Sequence, residues 1–445
     1  MSIEIDFSFA IDGFYHSVNY YRSTTPMNPE SMPAATATGI TGTTYTDVTA
    51  TQDTTYYVRF GSVRGGVEKI SNEYLVETSI PKWNETSVVM QHISDAANAY
   101  HNLESTATRS AMGADLSGTS KFYGAVLAPN GKIYCIPFNS TDILIIDPVA
   151  NTATRSNMGA TLSDTSKWSG GVLAPNGKIY CIPNSATDIL IIDPVANTAT
   201  RSNMGATLSD TSKWIGGVLA PNGKIYCIPF NSTDILIIDP VANTATRSNM
   251  GADLSGTNKW AGGVLGANGK IYCIPFNSTD ILIIDPVANT ATRSNMGASL
   301  SDTNKFFGAV LAPNGKIYCV PSASTDILII DPVANTATRS NMGADLSGTN
   351  KWAGGVLGAN GKIYCAPRGS ASFLVIDPVS NTAAILALGL AGMFDTNKFI
   401  GDVLAPNGKI YCVPFNSTDI AIIDKNASVP ALDIKDCLSP HLNKF

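Results

Sequence analysis

Seven cysteines are the first residues in this chain whose type and spacing could do chemistry. Cys135, Cys181, Cys227, Cys273, Cys319, Cys365 and Cys412 stand 46, 46, 46, 46, 46 and 47 residues apart, each inside an Ile-Tyr-Cys run. Thiols can pair or hold a soft metal, and neither chemistry fits here. Packed sheets lie ~10 Å apart, beyond the ~7 Å Cα separation that a disulfide tolerates. No Cys-x-x-Cys pair or Cys/His cluster occurs, so the spacing supplies no metal site. The expectation is of buried, reduced, structural thiols, with Cys437 standing apart in the tail.

Catalytic groups are equally sparse. The four histidines, His16, His92, His101 and His441, lie outside the repeated units. No Gly-x-Ser-x-Gly motif is present, and the Asn-Gly turns are not phosphate loops. Acid pairs such as Asp188 and Asp193 recur in six of the seven units, and an Asp before Pro194 reads as a turn-capping side chain. This inventory predicts no catalytic residues, no cofactor and no enzyme.

A Lys-aromatic pair is the remaining candidate, and each unit carries one. The pairs are Lys121-Phe122, Lys167-Trp168, Lys213-Trp214, Lys259-Trp260, Lys305-Phe306, Lys351-Trp352 and Lys398-Phe399. Flat rings beside ammonium, amide and hydroxyl groups suit sugars, which stack their apolar faces and hydrogen-bond their edges. With Arg368, these are the expected ligand-binding residues. The same pattern also fits an aromatic that opens an inner strand and wedges between neighbouring units, with the lysines as a solvated rim.

The elements that position these residues follow from the period. Seven units of about 46 residues, rich in short strands, point to an all-β, seven-bladed β-propeller over 103–424. In the unit from Lys167, strand A runs through Gly170 to Leu173, and Asn176-Gly177 turns the chain into strand B, Lys178 to Pro183. Strand C is the apolar run Asp188 to Asp193, and strand D the more polar run Thr198 to Met204. The last unit departs after Asp424 without a D strand, whereas Thr106 to Met112 is an unattached copy of one. The expectation is four-stranded blades, the last closed by this N-terminal strand.

Ahead of the propeller, residues 1–80 carry strand-like runs at Ile3 to Phe9, Ser17 to Arg22, Thr44 to Val48, Thr55 to Phe60 and Val67 to Val76. Their spacing suggests a small β-sandwich. Residues 81–102 read as a linker, with a short helix expected over Ser87 to Leu103, and 425–445 as a tail.

Composition excludes some functions. A net charge of −6 with 14% charged residues gives no electrostatic footprint for nucleic acid. No apolar stretch approaches the ~18 residues of a membrane helix, and the first residues lack the pattern of a secretion signal.

Two resemblances add to this reading. Ala174-Pro175-Asn176-Gly177-Lys178-Ile179-Tyr180, followed by Asp188 to Asp193 and Asn197-Thr198, resembles the YVTN or surface-layer class of propeller repeat. Thr43 to Val48 and Thr55 to Phe60 resemble the later strands of fibronectin type III modules. A repeat-built propeller behind such a module is similar to the modular adhesins of tailed bacteriophages. That resemblance implies a structural, non-enzymatic virion protein, assembled in the host cytoplasm and released by lysis. Its N-terminal module would dock to tail or capsid proteins. Its propeller, a homo-oligomer within the particle, would show a multivalent face to a host-surface or environmental ligand, glycan or protein. The alternatives are a bacterial surface or secreted lectin-like propeller and an intracellular protein-binding scaffold.

Differences among the units favour one face. The A–B and C–D turns are nearly invariant. The B–C loops vary, as in Phe138-Asn139-Ser140, Asn184-Ser185-Ala186, Ser322-Ala323-Ser324 and Arg368-Gly369-Ser370, and so do the D–A loops. Drift at exposed loops and tuning of a binding surface both predict this.

Overall fold

The computed structural model describes residues 2–8, 17–41, 44–51, 54–77, 105–387 and 396–425. Cys437, all four histidines, the helix expected over Ser87 to Leu103 and residues 426–445 lie outside them. The chain divides into two compact units, with the division between residues 102 and 103.

The described part of the larger unit is all-β and contains seven four-stranded antiparallel sheets, the blades of a β-propeller. Blade 2 shows how the repeat folds. Strand A is Trp168–Leu173, B Ile179–Pro183, C Ile189–Asp193 and D Thr198–Ser202, paired in the order A-B-C-D. Gly177 takes φ 77° at the A–B turn, and Asn176 Oδ1 accepts the Lys178 amide at 3.1 Å. At the C–D turn, Asp193 Oδ1 accepts the amides of Val195 and Ala196 at 3.0 and 2.9 Å, the capping role expected of it. Strand B is buried throughout, C at most positions, and D shows alternating burial. The sheet thus runs from a dry interior to a wet rim.

The ring closes through the borrowed strand. Ser105–Ser110 pairs antiparallel with Ile420–Lys425, from Thr106 opposite Asp424 to Ser110 opposite Ile420. Blade 7 also meets blade 1 directly: the Lys121 amide donates to the Phe415 carbonyl at 2.9 Å, and Asn407 Nδ2 donates to the Pro148 carbonyl at 3.2 Å. The cysteines are buried free thiols, and burial pushes their pKa well above the usual thiol value.

The described part of the smaller unit has two sheets. β1 (Ser2–Ser8) pairs with β4 (Thr44–Thr51). β2 (Ser17–Ser23), β3 (Ala37–Ile40), β5 (Thr55–Arg64) and β6 (Val67–Ile70) form the second sheet in the order β3-β2-β5-β6, and β7 (Tyr74–Glu77) also pairs with β5. The run Val67 to Val76 is thus two strands, because Ser71 turns out of the ladder and its hydroxyl accepts the Phe60 amide at 3.0 Å. Phe7, Tyr20, Ala50, Tyr56 and Val58 form the core. Beside it, buried Asp47 accepts from Tyr20 Oη at 2.9 Å and pairs with Arg22. Tyr56 Oη accepts the Thr51 amide at 3.0 Å, locking the corner between β4 and β5.

Candidate functional site

The structure places the seven Lys-aromatic pairs inside the molecule. Phe122, Trp168, Trp214, Trp260, Phe306, Trp352 and Phe399 are 0–1% exposed, and the seven lysines Lys121, Lys167, Lys213, Lys259, Lys305, Lys351 and Lys398 are 0–5% exposed. The expected exposed ring for sugar stacking is therefore corrected, since no aromatic face reaches solvent. Trp168 packs among Val126, Tyr134 and Ile136 of the preceding blade and Ile179 and Leu190 of its own. Its indole donates to the Asp188 carbonyl at 2.9 Å. These rings are inter-blade wedges.

The lysines do not form a solvated rim either. Lys213 Nζ donates to the carbonyls of Asp210 and, across the blade boundary, Ala186. Lys259 Nζ reaches Gly256, Phe230 and Ser232 in the same way at 2.8–3.1 Å. Burial lowers six of these ammonium pKa values, at Lys121, Lys167, Lys213, Lys259, Lys305 and Lys351, to about 8. At Lys259 and Lys351 the ammonium is retained among carbonyls because three of them accept from it. The lysines stitch blade to blade.

What reaches the axis is the residue after each aromatic. Strand A carries a bulge there: in blade 2, Trp168 lies opposite Pro183 and Gly171 opposite Cys181, with Ser169 and Gly170 between. Gly170 takes φ 85°, and a Cβ on it would sit 3.3 Å from Gly216 Cα. The same approach repeats through Gly124, Gly170, Gly216, Gly262, Gly308, Gly354 and Gly401, and from Gly401 back to Gly124 at 3.0 Å. Only glycine fits a closed ring of such contacts. The bulge aims the preceding residues, Tyr123, Ser169, Ile215, Ala261, Phe307, Ala353 and Ile400, at a shared central volume, where all but Ser169 join one cluster.

Around this plug stands a second circle, the first residue of each B–C loop: Phe138, Asn184, Phe230, Phe276, Ser322, Arg368 and Phe415. Its phenylalanines are half-buried. Ring centroids link Phe230 to Phe276 at 5.8 Å, Phe276 to Phe307 at 5.9 Å, Phe307 to Tyr123 at 6.1 Å, and Tyr123 to Phe138 and Phe415 at 5.5 and 6.0 Å. Tyr123 and Phe307 come from blades 1 and 5, so the contact crosses the axis. Arg368 lies 5.7 Å over the Phe307 ring, with Nε donating to Asn397 Oδ1 at 2.8 Å. Burial raises the Tyr123 hydroxyl pKa, and the nearby Arg368 charge opposes this. Arg368 is the one expected ligand-binding residue that the structure keeps at a partly exposed position. The six aromatic neighbours were missed by the pair motif. For Tyr123 and Phe307 a signal was present, because the position after each Lys-aromatic pair reads Tyr, Ser, Ile, Ala, Phe, Ala and Ile while its surroundings repeat.

Blades 6 and 7 meet at an irregular seam. Where other blades have Gly or Ala, strand A of blade 7 carries Asp402, and the facing strand-B residue shrinks from Ile or Val to Ala366. Asp402 Oδ2 accepts the Ala366 amide at 3.1 Å, while Oδ1 is buried without a partner. Desolvation pushes this carboxyl up to about 8, against the lowering effect of the Ala366 amide and the Cys412 thiol.

Among the described residues no helix is long and apolar enough to cross a membrane, and no group of three His, Cys, Asp or Glu residues could hold a metal ion. No family model and no curated protein matches the sequence. Solved structures do match. A virginiamycin B lyase from Staphylococcus aureus aligns with a TM-score of 0.58 at 14% identity, over 72% of this chain and 99% of that one. A streptogramin B lyase aligns equally well, over 98% of its length. The extracellular domain of a putative hybrid two-component system from B. thetaiotaomicron aligns with a TM-score of 0.54 at 12% identity, over 70% of this chain and 41% of that one.

These chains share the propeller fold. They correct the expectation that the chain is not an enzyme, because lyases are built on this architecture and it is compatible with such chemistry. A histidine-to-alanine variant of the S. aureus lyase is catalytically inactive. None of the structures named carries the bacteriophage resemblance or the fibronectin type III likeness.

Proposed function

We propose that this chain is a binding propeller of the bacterial surface or extracellular type, taking its ligand at the axial patch. The observation that carries this reading is the linked set of half-buried rings, Phe138, Phe230, Phe276 and Phe415 around Tyr123 and Phe307, on the axis of the more variable face. Small-molecule sites are mostly apolar and aromatic, with a few placed polar groups. Arg368 is the only charged side chain among the fourteen positions of the two circles. Its terminal nitrogens have no hydrogen-bond or ion-pair partner among the described residues. The preferred ligand therefore has an apolar or aromatic body and an anionic group. One shared axial site replaces the seven equivalent sites that repetition suggested.

The surface or secreted setting is the alternative reading of the sequence, and the extracellular domain among the matched structures supports it. The sandwich, with its own core and corner lock, serves as the attachment module. Two fluorescent dyes test the axial site. 8-Anilinonaphthalene-1-sulfonate is aromatic and anionic, and N-phenyl-1-naphthylamine is its neutral counterpart. Arg368→Gln is expected to weaken the anionic dye at least ten-fold and leave the neutral dye unchanged. Failure of both dyes to bind the native protein, or equal loss of both in the variant, would overturn the reading.

A further inference from the structure

Blade 6 lacks a group that the other six blades share. In those, strand D places an arginine (Arg109, Arg155, Arg201, Arg247, Arg293 or Arg339) 3.0–3.3 Å from the carboxylate that precedes strand C. In five of them the guanidinium also donates to a carbonyl of the loop entering the blade, at Asp115, Thr161, Thr207, Asp253 or Ser299, over 2.7–3.1 Å. In four it reaches a B–C loop serine hydroxyl, Ser140, Ser232, Ser324 or Ser417, at 3.2–3.5 Å. In the three tryptophan blades 2, 3 and 4 it lies 5.3–5.6 Å over the indole.

Blade 6 has Ile385 at the arginine position, opposite Leu374 as Arg201 is opposite Leu190. Ser372 replaces the carboxylate. The rest of the receptor remains: the Asp345 carbonyl in the entering loop, the Ser370 hydroxyl in the B–C loop, and Trp352, with the Asp345 carboxylate beside them, its Oδ1 accepting the Ser347 amide at 3.0 Å. A depression of about 350 Å³ opens between them, floored by Lys351 and Trp352 and bordered by Ile385. Lys351 cannot neutralise it, because its ammonium already donates to the carbonyls of Ser322, Ser324 and Gly348 at 2.9–3.0 Å. In the loops of like sequence, Asp115 and Asp253 each have an arginine charge nearby, Arg155 and Arg293, whereas Asp345 has none.

We propose that this depression is a guanidinium-binding site, taking an arginine side chain of a partner or a free guanidino compound where the other blades hold their own arginine. The receptor offers a carboxylate, a carbonyl and a hydroxyl at the edge of an indole, the combination that a planar, multi-donor cation matches and an ammonium matches less well. It lies in the wall of blade 6 and does not involve the axial rings.

Saturation-transfer NMR on the full chain tests this, with L-argininamide, L-citrullinamide and the capped tripeptide Gly-Arg-Gly as probes. Citrulline keeps the shape and replaces the guanidinium by a neutral urea. Argininamide is expected to bind and citrullinamide not to bind. Asp345→Asn should weaken argininamide at least five-fold, and Ile385→Arg, which restores the residue of the other blades, should abolish binding without lowering Tm. Tighter binding of the tripeptide than of argininamide would support a peptide source, and the reverse a free compound. Equal binding of argininamide and citrullinamide, no binding of argininamide, or argininamide binding unchanged in both variants, would overturn the proposal.

Discussion

The layer between the blades and the axis of the ring are made from the same repeat, yet they treat repetition in opposite ways. Between blades, each aromatic meets a pocket formed by its neighbour, and each lysine's backbone amide donates to a carbonyl of that neighbour. Seven identical contacts are satisfied seven times, so the residues stay alike. At the axis, seven side chains compete for one volume. Seven tyrosines would clash there and seven alanines would leave a void, whereas a mixture fills it. The comparison separates residues that hold the ring from residues free to acquire a ligand.

Removing the closure should have the largest effect. A chain lacking residues 1–112 loses the strand that pairs with Ile420–Lys425, leaving blade 7 with three strands and an open edge. The propeller should then lose cooperative unfolding, checked by calorimetry; an unchanged transition would mean that the clasp is dispensable.

The next effect falls on the inter-blade layer. Trp214 is fully buried, and Trp214→Ala should cost about 3–5 kcal/mol in denaturant unfolding. Phe230→Ser, at a half-buried axial position, should cost less than about 2 kcal/mol. Equal costs would erase the distinction between layer and axis.

A pH-dependent effect belongs to the seam. The folded state keeps a proton on Asp402 up to about pH 8, whereas an unfolded aspartate releases it near 3.8. Stability from this group is therefore full below pH 3.8 and falls as pH rises toward 8, by up to about 1.4 kcal/mol per pH unit. Asp402→Ala, which installs the residue found at Ala125 and Ala309, should remove that slope and make the variant relatively more stable at pH 8 than at pH 4. Parallel pH profiles would show that the carboxyl titrates normally.

Much of the fold was legible because repetition multiplies weak signals. The Asn-Gly turns, the Ile-Leu-Ile-Ile-Asp strands and the orphan copy of strand D at Thr106 to Met112 each recur or complete a pattern. The site was less legible. The Lys-aromatic pair looks amphipathic, and sequence does not reveal that backbone carbonyls would surround Lys213 or Lys259 and let them be buried. The axial residues depend on a bulge at Ser169-Gly170 that re-aims one side chain, and period-two alternation does not register such a bulge. At blade 6, the joint loss of Arg and Asp at Ile385 and Ser372 is readable only once strand D is known to fold back over the aromatic of its own blade.

The most direct test of the axial site changes the axis alone. Phe138, Phe230, Phe276 and Phe415 would be replaced together by serine, the residue that blade 5 already carries at Ser322. Titration with 8-anilinonaphthalene-1-sulfonate and a melting curve would be recorded on the same sample. At least a ten-fold loss of dye affinity is expected, with cooperative melting retained. Undiminished binding in a folded variant would contradict it.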